Sequence, residues 1–559
     1  MLKTIIRKNN YQDSINLMLL TNEVNALEGV NKSAVMMGTD ANKDIFRNSG
    51  LLTEEANEAS PADMVIVIDA VDDSVVEIAL ETVDHFLSDL SVKREKKGVS
   101  YATSLESALD QLPDANMALF SIPGEYAADE MMKALETGLH VFSFTDNVSQ
   151  EDELRLKTYA HENGLLMMGP DCGTGIISGI PMAFTNVVKP GNIGIVGASG
   201  TGIQEVSTII DRLGGGVVHA IGTGGRDLSE AIGAITVKDA LIALENHTPT
   251  DVIVLISKPP APSVRNEIVN LLHNLSKPVV AVFIGERPEH HEQNVYLAHT
   301  LEEAARIAVD LANGEEVKAN YIEALDNCVD TVLPENATVK GLYSGGTLGS
   351  EAAMLISEAL GLGEIIHEEG YVLKAQGYQV IDYGDDMYTQ GRPHPMIDPA
   401  TRIEAIKKAG AEADTGVILL DLVLGYGSHA DMAGALAPAI KEVLEKAKSE
   451  NRPLHVIATV TGTRQDPQNY DASIAKLKEA GALVEDSNAK AVRLALKFKG
   501  IEFKEIDKAV KEVPVTKVEL PKPSNAVIDL LTSKPRVINI GLESFNESIA
   551  KFGGESIQY

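Results

Sequence analysis

Gly194-Ile195-Val196-Gly197-Ala198-Ser199-Gly200-Thr201-Gly202-Ile203-Gln204-Glu205 is the stretch that decides how this chain folds. A short apolar run enters a turn of Gly, Ala, Ser and Thr, and a helix-forming pattern follows. A buried parallel strand that turns tightly into a helix is written this way. The plan returns at Lys340-Gly341-Leu342-Tyr343-Ser344-Gly345-Gly346-Thr347-Leu348-Gly349-Ser350-Glu351. Each stretch opens a series of apolar runs spaced by helix-length segments, at 193–196, 217–220, 252–256 and 279–284, then at 339–343, 380–381, 416–421 and 455–459. That alternation predicts βαβ units with parallel sheets, and the two series read as a pseudo-repeat of one topology.

Outward from this centre, runs at 117–122, 141–144 and 165–168 make an earlier series of the same kind. Residues 1–90 read as a unit of their own. Strand-like runs lie at 4–7, 34–38 and 64–69, Ile15, Met18 and Leu19 are spaced for a helix, and 75–90 has helix length. This predicts a ferredoxin-like α/β sandwich. Residues 91–100 read as a charged linker and the acidic stretch 313–334 as a connection between domains, while 536–540 suggests one late strand. The expected boundaries are 1–92, 101–190, 191–320, 335–500 and a C-terminal extension 501–559.

The chain has 559 residues, 48 Lys+Arg against 81 Asp+Glu, and a formal charge of −33. Its length suggests several domains, and its 44% apolar content is that of a globular protein. No apolar run reaches the roughly 18 residues of a membrane span, and the first residues lack a secretory signal. Two cysteines, Cys172 and Cys328, make neither a disulfide framework nor a zinc site and suggest a reducing cytoplasm. So acidic a surface disfavours nucleic acid as a partner. It also means that an anionic substrate must be bound locally, against the field of the whole molecule.

A glycine-rich turn at a helix N-terminus directs unpaired amides and the positive helix dipole at one point. Ser199, Gly200 and Thr201, and Ser344, Gly345, Gly346 and Thr347, are therefore candidate phosphate or anion ligands. Neither turn is a P-loop, because no Gly-Lys-Ser/Thr follows. Asp171 and Cys172 occupy a loop at a strand end, where α/β proteins bind ligands. Cys172 reads as structural, since no neighbouring base is visible. Arg226 and Asp227 form a Gly-Arg loop after the first series' second strand, where an arginine fork suits a carboxylate or phosphate. The run Asp382 to Asp398 holds Gln390-Gly391-Arg392-Pro393-His394-Pro395-Met396-Ile397-Asp398, polar and rigid enough to suggest a shaped site. Arg392 is a candidate carboxylate ligand, Asp398 a further substrate contact, and His394 and His429 candidate acid/base groups. His290-His291 reads as a solvated polar loop, and no metal is expected.

Gly169-Pro170-Asp171-Cys172-Gly173, the Ser199 turn and Gly222-Thr223-Gly224-Gly225 resemble the α subunit of succinyl-CoA synthetases. The series that opens at Lys340, with Leu420 to Gly427 and Thr459 to Thr463, resembles the carboxy-terminal domain of their β subunit. Over nearly its whole length the chain resembles the FdrA proteins, an acyl-CoA-synthetase-like family. The matches include Tyr11-Gln12-Asp13-Ser14, Pro123-Gly124-Glu125-Tyr126-Ala127, Gly224 to Leu228 and Gly391 to Pro399. The resemblance implies a CoA-binding-type Rossmann domain at 101–190 and two flavodoxin-like ligase domains whose helix N-termini face a common phosphate site.

The synthetases' phosphorylated His lies in a Gly-His-Ala-Gly context. Here the corresponding stretch reads Gly285-Glu286-Arg287-Pro288-Glu289-His290-His291. The FdrA resemblance implies a subunit of an oxamate carbamoyltransferase, converting oxalurate and phosphate into oxamate and carbamoyl phosphate within a hetero-oligomer. Phosphate is then a co-substrate and no cofactor is certain; Glu125 in the first turn of the Rossmann unit is a poor neighbour for CoA. The alternatives are an acyl-CoA ligase component that needs a separate ATP-grasp chain, and a non-catalytic anion-sensing scaffold.

Overall fold

A computed structural model describes residues 1–559 apart from positions 11, 98–100, 330, 367, 390 and 391. The chain divides into two compact units, one of Met1–Ser100 with Asp385–His394, the other of Tyr101–Gly384 with Pro395–Tyr559.

The first unit holds a three-stranded antiparallel sheet in the order Leu2–Arg7, Met64–Ala70, Val30–Met37. The outer strands run parallel to each other with the third between them, and helix Ser14–Asn25 connects them. This is the split β-α-β arrangement of ferredoxin-like folds. The central strand alternates as a two-sided strand must. Met64, Ile66 and Ile68 pack with Leu17, Leu20 and Val83, while Val65 and Val67 pack with Phe46 and Leu51 on the other face. The expected linker at 91–100 is corrected, because helix Asp73–Lys97 runs through 91–97, and 98–100 lie outside the described residues. Lys93-Arg94-Glu95-Lys96-Lys97 consists of straight-chain residues with good helix propensity, so its charge did not mark a linker.

The second unit contains three sheets. In the first, five parallel strands follow the order Glu555–Gln558, Arg536–Ile540, Met117–Phe120, His140–Ser143, Met167–Met168. The late strand is therefore internal to the sheet rather than appended: Val537 pairs with Met117 and Ile540 with Phe120. The nine-stranded second sheet has a parallel core of Val295–Ala298, Val279–Phe283, Val252–Ser257, Ile193–Gly197 and Val217–Gly222. The third sheet runs Leu373–Ala375, Tyr378–Asp382, Thr338–Tyr343, Thr415–Val423, His455–Thr461, Leu483–Glu485, all parallel except the first. The apolar runs are continuous because helices cover these sheets on both faces. One expectation fails at the edge of the second sheet. His291 is 1% exposed, its Nδ1 accepts the Leu297 amide at 3.1 Å, and burial pushes the ring down to about 4, so the solvated polar loop is partly core.

Candidate functional site

Strand Ile193–Gly197 runs into helix Gly200–Arg212 through Ser199, whose Oγ accepts the Gly202 amide at 2.9 Å. Glycine is required at Gly197 because a Cβ there would lie 2.5 Å from Ile203, so the helix can start directly against the strand end. The Ser199 carbonyl accepts the Ile203 amide, and the Gly200 and Thr201 amides donate to no protein group among the described residues.

The second turn joins strand Thr338–Tyr343 to helix Gly346–Leu360, but its cap comes from elsewhere. Asp421, on strand Thr415–Val423, accepts the amides of Ser344 at 2.8 Å and Gly345 at 2.7 Å. Arg402 balances it, with Nη1 3.2 Å from Asp421 Oδ1, and the two side chains are 1% and 0% exposed. An internal carboxylate thus occupies the donors expected to hold an external anion. This corrects the expectation for Ser344 and Gly345, and Gly346 is the half-buried, accessible member of that turn.

The two turns meet. Ser199 Oγ and Thr347 Oγ1 are 2.5 Å apart, and the Thr347 amide points at Thr201 Oγ1 at 3.4 Å. Two helix N-termini from two different sheets therefore share one cleft, each contributing about half a positive charge. Exposed Lys258, just beyond strand Val252–Ser257, places Nζ 3.7 Å from the Cβ position of Gly346 and has no ion-pair partner among the described residues. The Asp382 carboxylate lies 2.6 Å from the same position, at the end of strand Tyr378–Asp382. Thr174 Oγ1 closes the other side, 3.2 Å from the Cβ position of Gly200.

The remaining candidates separate. Asp227 is 0% exposed, its Oδ1 2.6 Å from the buried Lys157 Nζ and its Oδ2 accepting the Val237 amide at 2.8 Å. Arg226 Nη2 pairs with buried Glu153 at 2.8 Å and donates to the Val148 carbonyl. These two residues tie helix Gln150–Glu162 to the start of helix Ile235–Asn246; Asp227 is a structural anchor and not an open ligand. Cys172 is 2% exposed, and burial pushes its thiol up to about 12, which leaves it protonated and unreactive at neutral pH. Asp171 is exposed beside Gly225. Asp398 Oδ1 accepts the Ala400 amide at the start of helix Ala400–Ala411. His429 is half-buried; its Nδ1 accepts the Asp431 amide at 3.0 Å, which fixes Nε2 as the proton-carrying atom. Exposed Arg392 and half-buried His394 belong to the first unit, with Gln390 and Gly391 outside the described residues. The cleft is built from the second unit alone.

Lys258, Asp421 and Arg402 were not singled out from the sequence, and Asp382 entered only as the first residue of the polar run 382–398. Asp421 carried a signal, as a lone charge within the apolar run Ile418-Leu419-Leu420-Asp421-Leu422-Val423. Among the described residues, no group of three or more His, Cys, Asp or Glu is arranged to hold a metal ion, and no helix is long and apolar enough to cross a membrane.

Comparison with known proteins adds identity to this geometry. Residues 1–103 match the AllF heavy metal-associated domain, 188–285 the CoA binding domain and 342–498 the CoA-ligase family. The CoA-binding match falls on the Ser199 turn, downstream of the 101–190 unit to which the resemblance had assigned that role. "Uncharacterized protein YahF" of Escherichia coli (strain K12) is 40% identical over 508 residues, covering 89% of this chain and 98% of its own. Succinate–CoA ligase [ADP-forming] subunit alpha 2 of Archaeoglobus fulgidus is 31% identical over 198 residues, covering 34% of this chain and 66% of that subunit. Among solved structures, the dinucleotide-forming acetyl-coenzyme A synthetase 1 of Ca. Korarchaeum cryptofilum (apo form) aligns at 15% identity over 72% of this chain and 88% of that one, with a TM-score of 0.31. The chain belongs to the family of YahF, acyl-CoA-synthetase-like proteins that join an AllF-type N-terminal domain to CoA-binding and CoA-ligase domains.

Proposed function

We propose that the cleft between the Ser199 and Thr347 turns binds a phosphate or phosphoryl group. On this reading the chain is the acyl- and phosphoryl-handling component of an acyl-CoA-synthetase-type ligase, with nucleotide activation supplied by a separate chain. The observation that carries it is the 2.5 Å contact between Ser199 Oγ and Thr347 Oγ1, which brings two helix N-termini together beside Lys258, a lysine with no ion-pair partner among the described residues. The Gly200 and Thr201 amides donate to the anion, Lys258 supplies the full positive charge, and Thr201 and Thr347 bound its position. Arg402 neutralises Asp421, which keeps that buried carboxylate from repelling the ligand.

CoA would bring a nucleotide end that carries its phosphates and, at the opposite end, a thiol acceptor for the acyl group. The turn after strand Met117–Phe120 does not fit a phosphate. A Cβ at Gly124 would meet the Asp146 carbonyl at 2.4 Å, so backbone fills that side, and Glu125 adds negative charge. The Ser199 turn does fit one, through the Gly200 and Thr201 amides and Lys258. The CoA-binding family match falls on the same turn.

A second reading, phosphate-dependent carbamoyl transfer from oxalurate, is favoured by one observation. Among the described residues, no histidine hydrogen-bonds to Ser199, Thr201, Ser344 or Thr347, so the cleft has no evident phosphohistidine partner. In that reading His429 Nε2 is a candidate proton donor to the leaving amide. The test is to purify the chain with the products of neighbouring genes and assay two reactions side by side. ATP- and CoA-dependent thioester formation supports the ligase, and phosphate-dependent carbamoyl phosphate formation from oxalurate supports the transferase. If Lys258→Ala leaves whichever activity is found unchanged, the cleft is not its anion site.

A further inference from the structure

Beneath the cleft, two buried glutamates repeat each other's role across the two sheets. Glu205 lies six residues after the N-cap Ser199 of helix Gly200–Arg212, and Glu351 six residues after the N-cap Gly345 of helix Gly346–Leu360. Both are 1% exposed. Glu205 belongs to the nine-stranded sheet, yet its Oε1 accepts the amide of Asn488 at 3.0 Å, the first residue of helix Asn488–Phe498, which follows the last strand of the six-stranded sheet. Glu351 belongs to the six-stranded sheet, and its Oε1 accepts the amide of Leu301 at 2.8 Å, the first residue of helix Leu301–Ala312 behind the nine-stranded sheet.

The first amides of a helix have no partner within it, and a local N-cap usually satisfies only the second or third. Thr300 and Ser487 do just that, for Glu303 at 3.1 Å and Lys490 at 3.2 Å. The first amide of each closing helix is left to a carboxylate from the opposite sheet. Further bonds fix the two carboxylates. Thr461 Oγ1 donates to Glu205 Oε2 at 2.6 Å, and Asn488 Nδ2 donates to Glu351 Oε2 at 2.8 Å. Asn488 thus touches both glutamates, one through its backbone and one through its side chain.

We infer that Glu205 and Glu351 are reciprocal latches: each cleft-forming helix holds the closing helix of the other sheet, so the Ser199 and Thr347 turns keep one fixed register. They are positioning residues, since neither touches the cleft. Sliding one half past the other would uncap two helices and strand two buried carboxylates at once. Only the consequence for anion binding rests on the function proposed above; the latch stands on the hydrogen bonds alone.

The test is residue-resolved amide hydrogen exchange on the full chain. Glu351→Met is expected to speed exchange at Leu301, in the opposite half, by about tenfold while leaving Asn488 slower to respond, and Glu205→Met to do the reverse. Glu351→Gln and Glu205→Gln keep an acceptor oxygen for the Leu301 and Asn488 amides and should restore part of the protection, the amide group of Glu351→Gln facing the Asn488 Nδ2 donor; if a Met variant does not fold, its Gln counterpart carries the comparison against wild type. Unchanged exchange at Leu301 and Asn488 in the Met variants, or Gln variants that behave like Met, would overturn the latch. A parallel titration with inorganic phosphate separates the two ideas. Weaker phosphate binding in the Met variants, rescued in the Gln variants, extends the latch to the cleft. Absence of phosphate binding in wild type contradicts the proposed function while the exchange data still judge the latch.

Discussion

Replacing Arg402 by Met removes the only full positive charge recorded against Asp421 among the described residues. The guanidinium and carboxylate are 3.2 Å apart and at most 1% exposed, so solvent screens them little. At an effective dielectric of about 20, unit charges at that separation attract by about 5 kcal/mol. Measured losses on breaking one side of a buried pair are about 3–5 kcal/mol. Asp421 keeps three donors, the Ser344 and Gly345 amides and Ser344 Oγ, which places the expected cost near the lower end, about 3 kcal/mol. Asp421→Asn should cost a similar amount, because it leaves the Arg402 charge buried and turns a donor toward a donor. The double variant R402M/D421N carries neither charge and should lose less than the two single costs added together, by about 2 kcal/mol or more. Urea denaturation followed by circular dichroism, comparing midpoints at equal slope, measures all three. A single-variant cost below about 1 kcal/mol, or strict additivity, would refute the role given to this pair.

Three further outcomes are expected. Burial alone would push His299 down, but the carboxylates of Glu358 at 3.0 Å and Glu505 at 3.5 Å hold it up to about 9. The folded state therefore binds this proton more tightly than the unfolded chain. The stabilisation, about 3 kcal/mol, is complete below about pH 6.5 and lost as pH rises to about 9, and His299→Gln should flatten the denaturation midpoint across that window. Gly224→Ala should cost about 2–3 kcal/mol, since φ is +84° and a Cβ would lie 2.2 Å from the Pro170 carbonyl. Gly138→Ala, at φ +88° with no atom within 4 Å, should cost about 1 kcal/mol, and equal melting shifts for the two would contradict this. Removing residues 525–559 strips Arg536–Ile540 and Glu555–Gln558 from the five-stranded sheet and bares the buried strand Met117–Phe120. Limited proteolysis should then cut rapidly within 101–190, and unchanged resistance would show that those strands are dispensable.

Much of this architecture was legible because buried parallel strands are continuous apolar runs. The strands at 193–197, 252–257 and 415–423 needed no long-range information. Pairing across the chain was not legible: nothing local in Arg536-Val537-Ile538-Asn539-Ile540 says that it lies beside Met117–Phe120. The meeting of the Ser199 and Thr347 turns followed from two matching motifs and a family resemblance. What escaped was the competition for their amides, since Asp421 lies over seventy positions from the turn that it caps. Arg226-Asp227 misled for the opposite reason. An ion pair adjacent in sequence reads as a ligand loop, whereas its partners Glu153 and Lys157 come from a helix some seventy residues upstream.

Two helix N-termini, one lysine and two hydroxyls, with the Asp382 carboxylate alongside, are proposed to make a single anion cleft in a protein of charge −33. Calorimetric titration of the intact chain with inorganic phosphate at low and moderate salt tests it most directly. Wild type should bind phosphate with an affinity that holds as salt screens the distant repulsion. Lys258→Ala should weaken it by about five- to tenfold, the contribution of one partly exposed charge-assisted hydrogen bond. No binding by wild type, or equal binding by Lys258→Ala, would contradict the account.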